Sequence, residues 1–221
     1  MKNFFWISTH YFKKNILTPL NLILIGLPLI FIFALELLSE FLYSNINTES
    51  AGLSGLIIAI TLGFQFFGAD LTTDWLHHDL KGPTRSRLLV SGIDQRIFFL
   101  AVIISGWITN VFYGSLLIAL VSLLFNVVWG SYLLAILALS LLSFMTQLCG
   151  VWIFCYTKDE KSSSRMAYLF GEVMMGTVIL PQYIYIKGME GPIANIVNYL
   201  PNQLGVQLSE ASSISEALAY I

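Results

Sequence analysis

Residues 70–96 read DLTTDWLHHDLKGPTRSRLLVSGIDQR and separate two long apolar runs. The stretch holds four of the chain's eleven Lys and Arg residues, two of its three histidines and four of its thirteen acids. The chain as a whole is the opposite: of 221 residues, 57% are hydrophobic and 11% charged, with a mean hydropathy of +0.77. Soluble domains carry roughly 25% charged residues, so most of this protein's surface does not face water. The fold class expected is an all-α polytopic bundle of membrane-spanning helices, in which residues 70–96 form an aqueous connector.

A membrane-crossing helix takes about 20 mostly apolar residues. Runs 51–69 and 97–125 flank the connector, and runs 20–43, 132–155 and 166–186 complete five predicted spans in a single domain, 1–221. These runs are continuous rather than alternating, which argues against barrel strands. Lys and Arg alone set the orientation. Lys2, Lys13 and Lys14 precede the first span, Lys81, Arg85, Arg87 and Arg96 follow the second, and Lys158, Lys161 and Arg165 follow the fourth. The loops SNINTES (44–50) and NVVWGS (126–131) have none, and only Lys187 follows the fifth span. This asymmetry predicts a cytoplasmic N-terminus, with the connector on the same side.

Residues 1–19 read as an interfacial helix, with Phe5, Phe12 and Ile16 near one face and Lys13, Lys14 and Asn15 supplying polarity. Residues 187–221 are interrupted by Gly188, Gly191, Pro192, Pro201 and Gly205, and read as an external, re-entrant-like segment. The final EALAYI resembles the start of another apolar helix cut short, so either the chain stops there or the sequence is a fragment. Cys149 and Cys155 share one apolar run and read as buried free thiols.

For chemistry, Asp74 and His78 share a helix face, but no second ligand pair follows, and adjacent His77 and His78 point about 100° apart. No metal site is expected. The G-x-x-x-x-G-K-[ST] phosphate cradle is missing, as are the G-x-S-x-G elbow, HExxH and paired intramembrane aspartates. The chain is therefore not expected to be an enzyme. A docking surface or a plain connector remains. Residues 70–78 predict one or two helical turns with Trp75 and Leu76 as apolar anchors among Asp74, His77, His78 and Asp79, ended by Gly82 and Pro83. Within the spans, Gln65, Asn110, Gln147 and Glu172 serve either helix packing or a substrate path. Glu172 differs in kind, because an ionised acid near a helix centre costs roughly 2.5–3.5 kcal/mol.

The segment KGPTRSRLLVSGIDQRIFFLAVII (81–104) resembles one found in type-2 permeases of ATP-binding-cassette exporters. Asp79, Gly82, Thr84, Arg87, Leu88, Leu89 and Arg96 fill that pattern, with Pro83 between Gly and Thr and Gly92 where the family usually has Pro. The basic N-terminal helix, the short first outer loop and NYLPNQL (198–204) are similar too. The resemblance implies six spans, and a coupling helix in the connector (Asp74, Trp75, Leu76, His77, His78, Asp79, Arg87) seated in a groove of a separate ATPase subunit. ATP and Mg would bind that subunit, and this chain would hold no cofactor and no nucleic acid. A second permease subunit and a bacterial-type cell membrane are implied as well. The substrate would be an exported peptide, drug or lipid-like molecule. The other class open is a non-transporting membrane anchor or immunity protein.

Overall fold

Every regular element of the computed structural model, which describes residues 2–16, 19–43, 51–82, 85–90, 92–186 and 200–219, is a helix. Helices α1 (Lys2–Ile16) and α2 (Pro19–Tyr43) lead to a long rod. The rod begins as α3 (Ala51–Gly63), tightens into a 3₁₀ turn (Phe64–Gly68), resumes as α4 (Ala69–Leu76) and ends in a π turn (His77–Lys81). The short α5 (Arg85–Val90) leads to α6 (Gln95–Phe125), α7 (Tyr132–Tyr156) and α8 (Glu160–Ile186). Two small helices, α9 (Pro201–Glu210) and α10 (Ile214–Ala219), follow.

Three helices among the described residues are long and apolar enough, by length and composition, to cross a membrane: Ser54–Lys81, Gln95–Phe125 and Tyr132–Tyr156. The predicted spans 20–43 and 166–186 are also helical. Of the first, however, the described residues supply only a shorter apolar helix, Ile25–Leu37, and α8 opens on the polar EKSSSR.

The rod is the hub of the bundle. Its most apolar window is 89% buried, against 33% for α6 and 50% for α7. Ile58, Ile60, Leu62 and Phe66 form one core with Leu117 and Ile118 of α6, Leu139 and Leu142 of α7 and Val178 of α8. Between helices in lipid, close packing replaces the hydrophobic driving force. Small residues permit that approach here: a Cβ on Gly114 would run into Leu139, and one on Gly171 into Phe67.

The sequence ends the second span at residue 69 and expects a separate short helix before Gly82. The helix instead runs past Ala69 to Lys81 without a break. The polar residues that read as water-facing have partners inside the bundle. Asp70 accepts from the Ser164 hydroxyl (2.7 Å), the Thr73 hydroxyl donates to the Asp70 carbonyl (2.9 Å), and that of Thr72 donates to Gln147 Oε1. Here polarity marks helix–helix contact. The 28 residues Ser54–Lys81 of the rod are about 42 Å long, the thickness of a bilayer with its headgroup layers.

Helix α1 does not lie alone on a leaflet, as expected, but packs along α6. Ile7 and Tyr11 are buried with Phe98, Ala101 and Val102, and Asn15 donates to the Ser105 hydroxyl (3.4 Å). Phe5, read as part of the apolar face, is 66% exposed beside Trp6 rather than packed in the bundle. Part of the segment expected to be external and re-entrant-like packs against the bundle. Val206 of α9 joins the main core, and the Gly130 N–H donates to the Ser209 carbonyl (3.2 Å) at the far end from Lys81. Residues 187–199 and the loop 44–50 lie outside the described residues.

Candidate functional site

Lys81 closes the rod. Its ammonium donates to the carbonyls of Phe154 (3.2 Å) and Thr157 (2.5 Å) and lies 4.3 Å from the centre of the Phe154 ring. A helix cannot satisfy its own last carbonyls, which carry the negative end of its dipole, so a cation at the end of α7 is well placed. His77 reinforces the joint. Its Nε2 lies 3.2 Å from the Thr157 hydroxyl, which already donates to the Ile153 carbonyl (2.8 Å), so the ring proton is assigned to Nε2.

His77 and Lys81 thus face α7, while Trp75 and Asp79 face α1. The Asp79 carboxylate accepts from the Tyr11 hydroxyl and from His78 Nδ1 (2.7 Å). Burial, and then the bond to Asp79, push the Tyr11 phenol above its ordinary value. The Trp75 indole donates to Asn15 Oδ1 (2.6 Å), and the Lys14 ammonium sits 3.6 Å from the centre of the Trp75 ring. The expected docking face is therefore largely consumed within the chain. Leu76, His77 and Asp79 are buried and Trp75 is committed to α1, leaving only Asp74 and His78 exposed. The side chain of Arg87 lies outside the described residues.

What protrudes instead is α5. Arg85 and Ser86 are exposed, and Val90 is 88% exposed. Two glycines shape the corners around it. A Cβ on Gly82 would collide with the His78 carbonyl, and Gly92 has φ +65°, in the left-handed region. Beside α5 lies a cavity of about 310 Å³, with Lys81, Arg85 and Gln95 among its polar lining and Phe98, Phe99 and Phe154 among its apolar lining. Nothing in linear spacing brings Phe154 to Lys81, so sequence reasoning missed this cavity. At the far end of the rod a second cavity, of about 590 Å³, is lined by Ser54, Gly55, Ile57 and Ile58 together with Glu36 and Glu210.

Gln65, Asn110 and Gln147, expected along a substrate path, are buried in the contacts between the rod, α6 and α7. Asn110 Nδ2 donates to the Gln65 carbonyl (3.5 Å). A Cβ on Gly68 would overlap the Asn110 amide, and one on Gly106 would overlap that of Gln147, so the space between these helices is filled. Glu172 behaves differently: it is exposed on α8 beside Val173. Cys155 is exposed, against the expectation of two buried thiols, and Cys149 is half-buried. Among the described residues, no three His, Cys, Asp or Glu side chains gather where they could hold a metal ion.

No family model matches the chain, and neither a curated protein nor a solved structure is a match to it.

Proposed function

We propose that the chain is the membrane subunit of an ATP-driven exporter, with five spans, a cytoplasmic N-terminus and a separate ATPase subunit that binds ATP and Mg. The observation that carries this reading is α5, a short exposed helix held between two glycine corners at the end of a buried, unbroken rod. A soluble motor gripping α5 acts on the hub of the bundle across a sequence separation of only three residues, 82–84. The docking element thus shifts from residues 74–79 to 85–90, retaining Arg87, with Asp74 and His78 at its flank.

The charge distribution supports the orientation. Lys81 is bonded to the end of α7, α1 is bonded to Asp79, and the loop bearing Lys158 follows directly, so these basic segments meet at one end. The far-end loop 126–131 has no Lys or Arg. Glu172, facing away from its own bundle, fits a substrate path between two copies of the subunit. Dense packing around Gln147 favours a second reading, a non-transporting anchor or immunity protein, because no path runs through that region of the single chain.

Two measurements test the proposal. A Ser86→Cys variant lacking Cys149 and Cys155 is expected to react with an impermeant maleimide only after the membrane is opened; reaction on intact cells overturns the orientation. Affinity purification from native membranes is expected to bring down a P-loop ATPase, with nucleotide-dependent efflux on reconstitution. Membrane insertion without either favours the anchor.

A further inference from the structure

We infer that the cavity between Lys81, Arg85 and Gln95 binds the phosphate headgroup of an anionic membrane lipid, with an acyl chain laid against Phe98, Phe99 and Phe154. This rests on membrane insertion and on the cytoplasmic side proposed above for Lys81, not on transport.

Depth comes first. Among the described residues, the three helices long and apolar enough to cross a membrane each have an end here, at Lys81, Gln95 and Tyr156. The length of the rod puts Lys81 at headgroup level when its other end, Ser54, is at the opposite headgroup layer. Exposed Trp152 and Tyr156, with ring centres 4.7 Å apart, lie at the same end of α7, where an aromatic belt is expected.

Chemistry comes second. Lys81 uses two of its three N–H donors on the carbonyls of Phe154 and Thr157, so one remains for a ligand in the cavity. Arg85 is exposed and forms no ion pair among the described residues. Of the two acids nearest in sequence, Asp79 accepts from Tyr11 and His78, and Asp94 accepts from the Arg96 N–H (2.9 Å) at the start of α6. Two cations over an apolar floor suit an amphiphile better than a free anion. A free phosphate would leave the part-exposed Leu80, Ile93 and Phe99 of the lining facing water, whereas an acyl chain covers them. Basic pockets between spans on the cytoplasmic side are where acidic headgroups bind.

The test uses the full chain in detergent micelles, titrated with phosphatidylglycerol or phosphatidylcholine and read by native mass spectrometry. Phosphatidylglycerol is expected to be retained selectively, and Arg85→Gln, which breaks no internal contact among the described residues, to weaken it about fivefold. Lys81→Gln should weaken it further, and Lys13→Gln, outside the cavity, should not. Equal retention of the two lipids, or full retention by Arg85→Gln, overturns the proposal. So does an equal loss in Lys13→Gln, which would mark general surface charge. Displacement by soluble glycerol phosphate at matching concentration would identify a small-anion site and overturn the acyl-chain half.

Discussion

The Tyr11 hydroxyl donates to the Asp79 carboxylate across 68 residues of chain, tying the N-terminal helix to the end of the central rod. Asp79 is largely buried and its other bonded partner is the half-exposed His78, so the phenol is the sheltered half of this joint. Replacing Tyr11 by Phe keeps the ring packing against Phe98 and removes one donor from a buried carboxylate, which costs about 1–3 kcal/mol. Faster tryptic cleavage at Lys13 and Lys14, with a lowered midpoint of thermal unfolding, is the expected outcome.

The same joint has a pH signature. The folded pKa of Tyr11 is raised, so its contribution is complete below the ordinary phenol value of about 10 and is lost as pH climbs beyond it. The stability difference between wild type and Tyr11→Phe should therefore be constant from neutral pH to about 9 and shrink above about 10. Thermal unfolding of both proteins across that range checks the sign.

Packing and polarity can be separated at the Gly106–Gln147 contact. Gly106→Leu overfills a contact already closed by Gln147 and Thr72, and should cost at least about 1–3 kcal/mol. Gln147→Leu removes an amide whose Nε2 has no partner, together with one interhelical bond worth about 0.6 kcal/mol, and should lie within about 1 kcal/mol of wild type. Unfolding of both variants in micelles gives the comparison. A well-folded Gln147→Leu that loses efflux would restore that residue to a substrate path.

Coupling should follow α5 and not Trp75. Val90→Asp puts a charge on an exposed apolar residue of α5 and is expected to lower recovery of the ATPase at least tenfold, with the fold unchanged. Trp75→Ala breaks the bonds to Asn15 and Lys14, and should loosen α1 while leaving that recovery within about twofold. Pull-down from membranes alongside proteolysis of α1 distinguishes the two.

Glu172 gives the fifth prediction. An ionised acid facing lipid near a helix centre costs roughly 2.5–3.5 kcal/mol, so a polar surface must cover it or its proton must stay on. If a second copy covers it, Glu172→Leu should change the monomer–dimer balance measured by single-molecule photobleaching in vesicles. An unchanged balance removes Glu172 from the subunit interface.

Membrane class and helical content were legible because continuous apolar runs and sparse charge leave few alternatives. The boundaries of the second span were not. Asp70, Thr72 and Thr73 look like a water-facing connector in one dimension, yet Ser164 and Gln147, far along the chain, satisfy Asp70 and Thr72. The face of α1 failed for the same reason: Tyr11 and Asn15 are buried through polar bonds to Asp79 and Ser105, while the apolar Phe5 turns outward. The basic cavity depends on Phe154 meeting Lys81, a pairing that no local pattern encodes.

A column running from one lipid surface to the other cannot be pushed at one end alone. Lys81 borders one cavity and Ser54 the other, so an axial shift of the rod reaches both cavities together. Within the rod, Phe64–Gly68 are five residues wound more tightly than their α-helical neighbours. Relaxing them from about 2.0 to 1.5 Å per residue would retract the column by about 2.5 Å, a telescoping movement that needs no hinge.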